Sequence, residues 1–233
     1  GRYMGRFPVI SISLKSAEEK DFSSARSQMC TIIGNEALRF QFLLQSSRLT
    51  ECEKALYRQL ITVDRENKEM FSIADAVLNA SLQTLSSLLH KHYGQKPIIL
   101  IDEYDVPLAK ASEHGYYDQM VFLIRNLFGQ ALKSNTSLEF AVLTGCLRIS
   151  KESIFTGLNN IVTYSVADVE FSSYFGFTEG EVHGLLGEYE LSSHEQELKD
   201  WYDGYRFGNT EVYCPWDVLC HCKKLCADPE AEP

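Results

Sequence analysis

The segment at 97–105, Pro-Ile-Ile-Leu-Ile-Asp-Glu-Tyr-Asp, constrains the fold more than any other part of the chain. Its continuous apolar run is typical of a buried parallel strand. Asp102 and Glu103 follow the run directly. Because an unpaired buried charge is costly, we expect these two carboxylates where the strand leaves the sheet, at its carboxyl end. In open α/β sheets, ligands bind at that edge.

An apolar strand that ends in Asp-Glu is the Walker B pattern of P-loop NTPases. In that pattern the first acid binds Mg²⁺, directly or through water, and the second polarises the attacking water. The alternative is a strand that ends in a solvated acidic turn. The segment by itself does not separate these two interpretations.

The composition predicts a globular protein with a substantial core. The 233 residues, 45% of them hydrophobic, suffice for one α/β domain with a small appendage. A net charge of −10 argues against a broad surface for nucleic acid or anionic membranes, which would need to be basic. No apolar run approaches the roughly 20 residues of a membrane span. Seven irregularly spaced cysteines favour reduced thiols and a cytoplasmic location.

Strand-like and helix-like patterns alternate over the first two thirds of the chain, which predicts a parallel sheet with helices on both faces. Pro8 places the first strand near a sheet edge. Ser72 is the expected N-cap of the third helix, and the residues after Asp105 up to Gly115 are expected to form a loop. The predicted strands are 7–14, 98–101, 138–144 and 161–166, and the predicted helices are 17–45, 51–61, 73–90 and 117–133.

The character of the sequence changes at Asp168, which predicts two domains: an α/β core at 1–167 and a small, mainly helical C-terminal subdomain at 168–233. Thr178 and Glu181 have the spacing of a capping box at the start of a short helix. The expected elements are helices at 178–189 and 193–202, a hairpin at 204–213 and a last helix at 215–226.

Five blocks of sequence extend over nearly the whole chain: Phe-Pro-Val-Ile-Ser-Ile-Ser-Leu-Lys at 7–15, Ile-Asp-Glu-Tyr-Asp-Val-Pro-Leu at 101–108, Leu-Thr-Gly-Cys-Leu-Arg-Ile-Ser-Lys-Glu-Ser-Ile-Phe-Thr-Gly-Leu-Asn-Asn at 143–160, Phe-Gly-Phe-Thr-Glu-Gly-Glu-Val at 175–182 and Trp-Tyr-Asp-Gly-Tyr-Arg-Phe-Gly at 201–208. In content and order they resemble the AAA-ATPase-like proteins of bacteria. These are relatives of archaeal and STAND-type ATPases and are often fused to a C-terminal PD-(D/E)xK nuclease-like domain.

The resemblance implies a P-loop NTPase-like, three-layer αβα core with a mostly parallel sheet, followed by a helical lid. It implies an ATPase that acts as a molecular switch, with ATP and Mg²⁺ as cofactors and, as partners, the nuclease-like domain or further copies of the chain. Asp102 would bind Mg²⁺ and Glu103 would be the catalytic base. Thr144 would be the sensor that contacts the γ-phosphate or the attacking water.

The resemblance leaves the roles of two arginines open. Arg148 would face a phosphate or act in trans, and the alternative is a surface salt bridge. Arg206 would contact the nucleotide from the lid, and the alternative is stacking on the neighbouring Tyr205 or Phe207. For Asp105 we expect a cap on a turn rather than a role in orienting the site.

No stretch of the 233 residues fits Gly-x-x-x-x-Gly-Lys-[Ser/Thr], the motif that binds the phosphates. In the family that the sequence resembles, this motif precedes the Phe-Pro-Val-Ile strand. We therefore expect a chain truncated at its N-terminus, without the central P-loop strand, that neither binds ATP tightly nor hydrolyses it. The alternative is a non-hydrolysing interaction or scaffold module derived from an ATPase.

Two further kinds of site are weakly indicated. The cysteines and histidine at 214–226 lack the paired spacing of zinc ligands, so buried thiols are the favoured interpretation. Three Glu-x-Lys triplets, at 18–20, 66–68 and 197–199, match part of a nuclease motif. They lie in helical or loop patterns rather than on a strand, and we attribute them to chance.

Overall fold

The computed structural model describes residues 3–64, 70–146, 154–155 and 161–228. It divides the chain into two compact units, 1–159 and 160–233. The first unit is α/β, with a parallel sheet, and the second combines helices with a small antiparallel sheet. The predicted domain boundary at Asp168 stays a prediction.

The described part of the first unit contains three strands and five α-helices, with two short irregular helices. In chain order these are β1 (Val9–Ser13), α1 (Phe22–Leu38), a 3₁₀ helix (Gln41–Gln45), α2 (Glu51–Leu60), α3 (Asp75–Tyr93), β2 (Ile98–Asp102), α4 (Val106–His114), α5 (Tyr117–Phe128), a π-helical turn (Gly129–Lys133) and β3 (Ala141–Leu143).

The three strands form a parallel sheet in the order β1-β2-β3. Ile12 pairs with Ile101 and Ser13 with Asp102, while Ile101 also pairs with Leu143. The strands therefore end at the same edge of the sheet. The α/β class and the parallel sheet are confirmed, and the arrangement is compatible with a P-loop-like αβα fold.

Only one face of the sheet is well buried. Its side chains belong to the hydrophobic core formed with α1, α3 and α5. On the opposite face, Leu100 is 37% exposed and Val142 is 45% exposed. The apolar run of β2 predicts a strand that is buried on both faces. In the structure, one face of this strand is partly exposed at Leu100. The residues of the buried face are Ile10, Ile12, Ile99, Ile101, Ala141 and Leu143.

The outer edge of β1 is closed by a side chain of α1. Glu36, which is 5% exposed, accepts a hydrogen bond of 2.8 Å from the backbone nitrogen of Ser11. Arg39 donates to both oxygens of the same carboxylate, at 2.9 and 2.8 Å. An edge strand with a free donor can pair with other chains, and the buried carboxylate satisfies this donor. The position of β1 at the edge agrees with the prediction from Pro8.

The loop predicted after Asp105 is wrong, because α4 begins at Val106. Pro107 occupies the first helical turn, where its missing N–H would have no helical partner in any case. Gly115 then ends α4 in a left-handed conformation with φ of 81°. The prediction of Ser72 as the N-cap of α3 is also wrong. Ala74 occupies that position, and no side chain caps the helix there.

The second unit contains β4 (Phe177–Thr178), α6 (Glu179–Glu188), a 3₁₀ helix (Ser192–His194), α7 (Glu195–Tyr202), β5 (Asp203–Phe207), β6 (Thr210–Tyr213) and α8 (Pro215–Ala227). Its strands are antiparallel, in the order β4-β6-β5. The capping box of Thr178 and Glu181 is confirmed. Among the residues that the structure describes, no helix is both long and apolar enough to span a bilayer.

The strand predicted at 161–166 is wrong. Residues 161–165 have no regular secondary structure, and no described strand pairs with them. The apolar side chains of the alternating pattern, Val162, Tyr164 and Val166, are all exposed. Alternation indicates a strand only where another element covers one face, and here the pattern places the apolar side chains on the surface.

Candidate functional site

The acidic end of β2 lies beside the end of β3. Thr144 follows β3, and its hydroxyl donates a hydrogen bond to Oδ1 of Asp102, the last residue of β2. Backbone bonds hold this pair in place: the nitrogen of Thr144 donates to Ile101 at 2.9 Å, and the nitrogen of Tyr104 donates to Thr144 at 3.1 Å. Two of the residues predicted from the sequence are thus in direct contact, and both are solvent-exposed.

Glu103 has an unusual backbone conformation, with φ of 54°. For a residue with a side chain, the left-handed region costs about 1–2 kcal/mol. One carboxylate oxygen, Oε2, is buried and has no hydrogen-bond partner. Strained backbones and unsatisfied buried polar atoms occur preferentially at functional sites. The sequence identified Glu103 by its place after the apolar run but gave no signal of either feature.

Asp105 connects this turn to the turn after β3. It is 3% exposed, and its Oδ2 accepts a hydrogen bond from the backbone nitrogen of Cys146 at 3.1 Å. Asp105 occupies the N-cap position of α4, but its side chain makes no capping hydrogen bond. Asp105 thus does not cap α4, and the interpretation of this side chain as a cap on a turn stays a prediction. Its contact with Cys146 helps to fix the backbone that carries Thr144.

Gly145, between Thr144 and Cys146, leaves no space for a side chain. A Cβ atom at this position would overlap the carboxylate of Asp105 and lie 2.9 Å from the ring of Tyr104. The two turns can approach this closely because residue 145 is glycine. Its position directly after Thr144 is the one signal that could have identified it.

The side chains at this edge suit a hard metal ion. Carboxylate and hydroxyl oxygens, as on Asp102, Glu103 and Thr144, are ligands of the type that Mg²⁺ prefers. In the described ranges, no group of three or more His, Cys, Asp or Glu side chains could hold a metal ion. Mg²⁺ usually binds one or two carboxylates of a protein and completes its shell with water and phosphate oxygens. The residues present therefore fit the expected ion.

The sequence suggests two arginines as further site residues, Arg148 and Arg206. Arg148 lies outside the described residues. Arg206 belongs to β5 in the second unit and is exposed. Its backbone lies opposite that of Glu211 in the antiparallel pairing of β5 with β6. The roles suggested for both arginines stay predictions.

Comparison with known proteins identifies the family. Residues 2–155 match the family model described as "Predicted AAA-ATPase". An uncharacterized protein in the vnfD 5' region of Azotobacter chroococcum mcd 1 is 33% identical over 131 residues, which is 56% of this chain. The match spans about a quarter of that relative's length, 25%. No solved structure matches the chain. Because the family model covers well over half of the chain, the chain belongs to this family of AAA-ATPase-like proteins.

Proposed function

We propose that the first unit supplies the metal-binding and hydrolytic part of a Mg²⁺–ATP site, with Asp102 and Glu103 as its Walker B acids. The observation that carries this proposal is the hydrogen bond from Thr144 to Asp102, formed where two neighbouring parallel strands end. Ligands bind at this edge in open α/β sheets. Membership of an AAA-ATPase-like family supports ATP as the nucleotide.

Each residue has a distinct part in the proposed chemistry. Asp102 is exposed and would bind the metal, directly or through water, while Thr144 orients its carboxylate. Mg²⁺, when bound, neutralises charge on the phosphate oxygens. Glu103 would be the base that accepts a hydrogen bond from the attacking water and takes its proton; its Oε2, buried without a protein partner, leaves this carboxylate uncommitted to the surrounding chain. Asp105 and Gly145 hold the backbone of Thr144 in position.

The finer assignments are part of the same proposal. The complete protein would be a STAND-type switch, with residues 168–233 as its lid and Arg206 as a nucleotide contact. Arg148 would face a phosphate. A nuclease-like domain or a second copy of the chain are the proposed partners of the complete protein, and the cytoplasm is its proposed location.

We further propose that residues 1–233 alone bind ATP weakly and do not hydrolyse it, because their sequence contains no phosphate-binding loop motif. Calorimetry with MgATP tests this. A dissociation constant in the micromolar range, which corresponds to a binding free energy of about −8 kcal/mol, would contradict it. The same absence favours a second candidate, a non-hydrolysing scaffold module. Hydrolysis of ATP by the complete natural gene product would exclude that candidate.

Metal binding can be tested on the chain itself. We expect Mn²⁺, followed by its electron paramagnetic resonance signal, to bind weakly to the wild-type chain, and Asp102→Asn to abolish this binding. Asp118→Asn is the matched control, because Asp118 is an exposed aspartate in the first turn of α5. Equal Mn²⁺ affinity in the wild type and Asp102→Asn would contradict the assignment.

A further inference from the structure

The charges of the chain are distributed unevenly between its two units. Residues 160–233 include 15 acidic and 4 basic residues, whereas residues 1–159 include 17 acidic and 18 basic residues. The net charges at pH 7 are therefore −11 and +1. A unit with so strong a negative charge attracts cationic partners and repels nucleic acid and anionic membranes. It also repels a second copy of itself.

The second unit begins with an exposed apolar surface, which we call the aromatic patch. The ring of Phe171 contacts the rings of Tyr164 and Tyr174, with centroid distances of 5.0 and 6.1 Å. All residues of the patch are at least 45% exposed, and Tyr174 is 78% exposed. The three rings are in contact, and the other apolar side chains of the patch are exposed on the same short stretch of chain. Exposed apolar clusters mark interaction sites. The patch consists of Val162, Tyr164, Val166, Val169, Phe171, Tyr174 and Phe175.

The backbone beneath the patch is fixed by the β5–β6 hairpin. Ser172 is 8% exposed and shares a hydrogen bond of 2.8 Å with the hydroxyl of Thr210. The backbone nitrogen of Gly208 donates to the carbonyl of Val166 at 2.8 Å. A side chain at position 208 would lie 2.8 Å from the Cα of Val169. The backbone that carries the rings is thus fixed before a partner arrives, which lowers the entropic cost of binding.

We infer that the aromatic patch binds a positively charged protein segment in which lysine or arginine alternates with apolar side chains. Apolar side chains would cover the valines and rings, and the cations would lie over ring faces, which attract positive charge. Two acidic side chains adjoin the patch: Glu170 and Asp168 lie near Tyr164, and desolvation together with these carboxylates raises the pKa of Tyr164. Both the charge of the unit and the surface of the patch therefore favour the same partner.

The inference can be tested with defined peptides on the whole chain. The probe is a short peptide of alternating lysine and leucine, and calorimetry should give a dissociation constant on the order of 10 μM. Raising the salt concentration from about 0.1 M to about 0.5 M should weaken binding, because the charges are exposed. A peptide with glutamate in place of lysine, and one with glycine in place of leucine, should bind at least about tenfold more weakly.

Variants of the chain test whether the patch is the binding surface. Tyr174→Ala combined with Phe175→Ala should weaken binding of the lysine–leucine peptide by about tenfold or more. Trp216→Ala is the matched control, because Trp216 is 74% exposed on α8 and lies outside the patch. Circular dichroism verifies that both variants are folded. The inference is overturned if the wild type does not bind the peptide at millimolar concentration, if the glutamate peptide binds equally well, or if both variants lose binding equally.

Discussion

Asp105 accepts a hydrogen bond from the backbone nitrogen of Cys146 at 3.1 Å and thereby joins the turn after β2 to the turn after β3. The first turn contains Glu103, and the second begins with Thr144. Because Asp105 is buried, the contact is partly shielded from water and helps to fix the two turns relative to each other. The geometry of the Asp102–Thr144 pair therefore depends on a residue that does not itself belong to the pair.

We predict that Gly145→Ala destabilises the first unit by about 1–3 kcal/mol, the usual cost of overpacking. The added methyl group would overlap the carboxylate of Asp105, so the two turns would have to separate. Denaturant unfolding followed by circular dichroism measures the change. Gly129→Ala is the control, since a Cβ at that position meets no atom within 4 Å. Equal stabilities of the two variants would contradict the account of the close approach.

We predict that Glu103→Gly stabilises the chain by about 0.5–1 kcal/mol, because glycine adopts a left-handed backbone without the steric penalty. The substitution also removes a buried oxygen without a partner. Glu190→Gly is a matched control: Glu190 has a similar φ of 58° but is exposed, so only the backbone effect applies. The same unfolding experiment measures both. A loss of stability in Glu103→Gly would show that the conformation is not strained.

We predict that the second unit loses stability as the pH falls below about 6.5, the ordinary pKa of histidine. His221 is 1% exposed, and burial lowers its pKa, with Glu197 opposing the shift and Lys224 and His194 adding to it. The unfolded chain then binds a proton that the folded chain does not. Because of this linkage, the unit keeps its full stability above the pKa that His221 has in the unfolded chain, and it loses stability as the pH falls below that value.

Tryptophan fluorescence can follow this transition, because both tryptophans of the chain, Trp201 and Trp216, lie in the second unit. Unfolding by urea at about pH 7.5 and about pH 5.5, on either side of the ordinary histidine pKa, gives the two stabilities. His221→Phe should remove the difference, while His183→Gln should keep it, since His183 is exposed. The account fails if wild type and His221→Phe respond to pH in the same way.

The contact between Asp102 and Thr144 could be anticipated from the sequence. Each residue ends an apolar run, and the ends of neighbouring parallel strands meet at one edge of a sheet. The edge position of β1 likewise follows from Pro8, which removes a backbone donor. These features depend on local patterns and on the general geometry of α/β sheets, which is why the sequence suffices to anticipate them.

Other features depend on contacts that local patterns do not encode. The left-handed φ of Glu103 and the space required at Gly145 arise from the approach of two turns that are distant in sequence. The sequence predicts a loop after Asp105, which contains Pro107, although proline is compatible with the first turn of a helix. The alternation of apolar and polar residues at 161–166 predicts a strand. A strand also needs a neighbouring strand to pair with, and the local sequence does not specify one.

The most direct test of the proposed function compares ATP binding and ATP turnover in the complete natural gene product that contains these residues. If Glu103 is the catalytic base, Glu103→Gln should bind ATP as the wild type does, because the side chain keeps its size. Its Mg²⁺-dependent turnover should fall by about 100-fold or more. Turnover by Glu103→Gln at the wild-type rate would contradict the assignment of this edge of the sheet as the hydrolytic site.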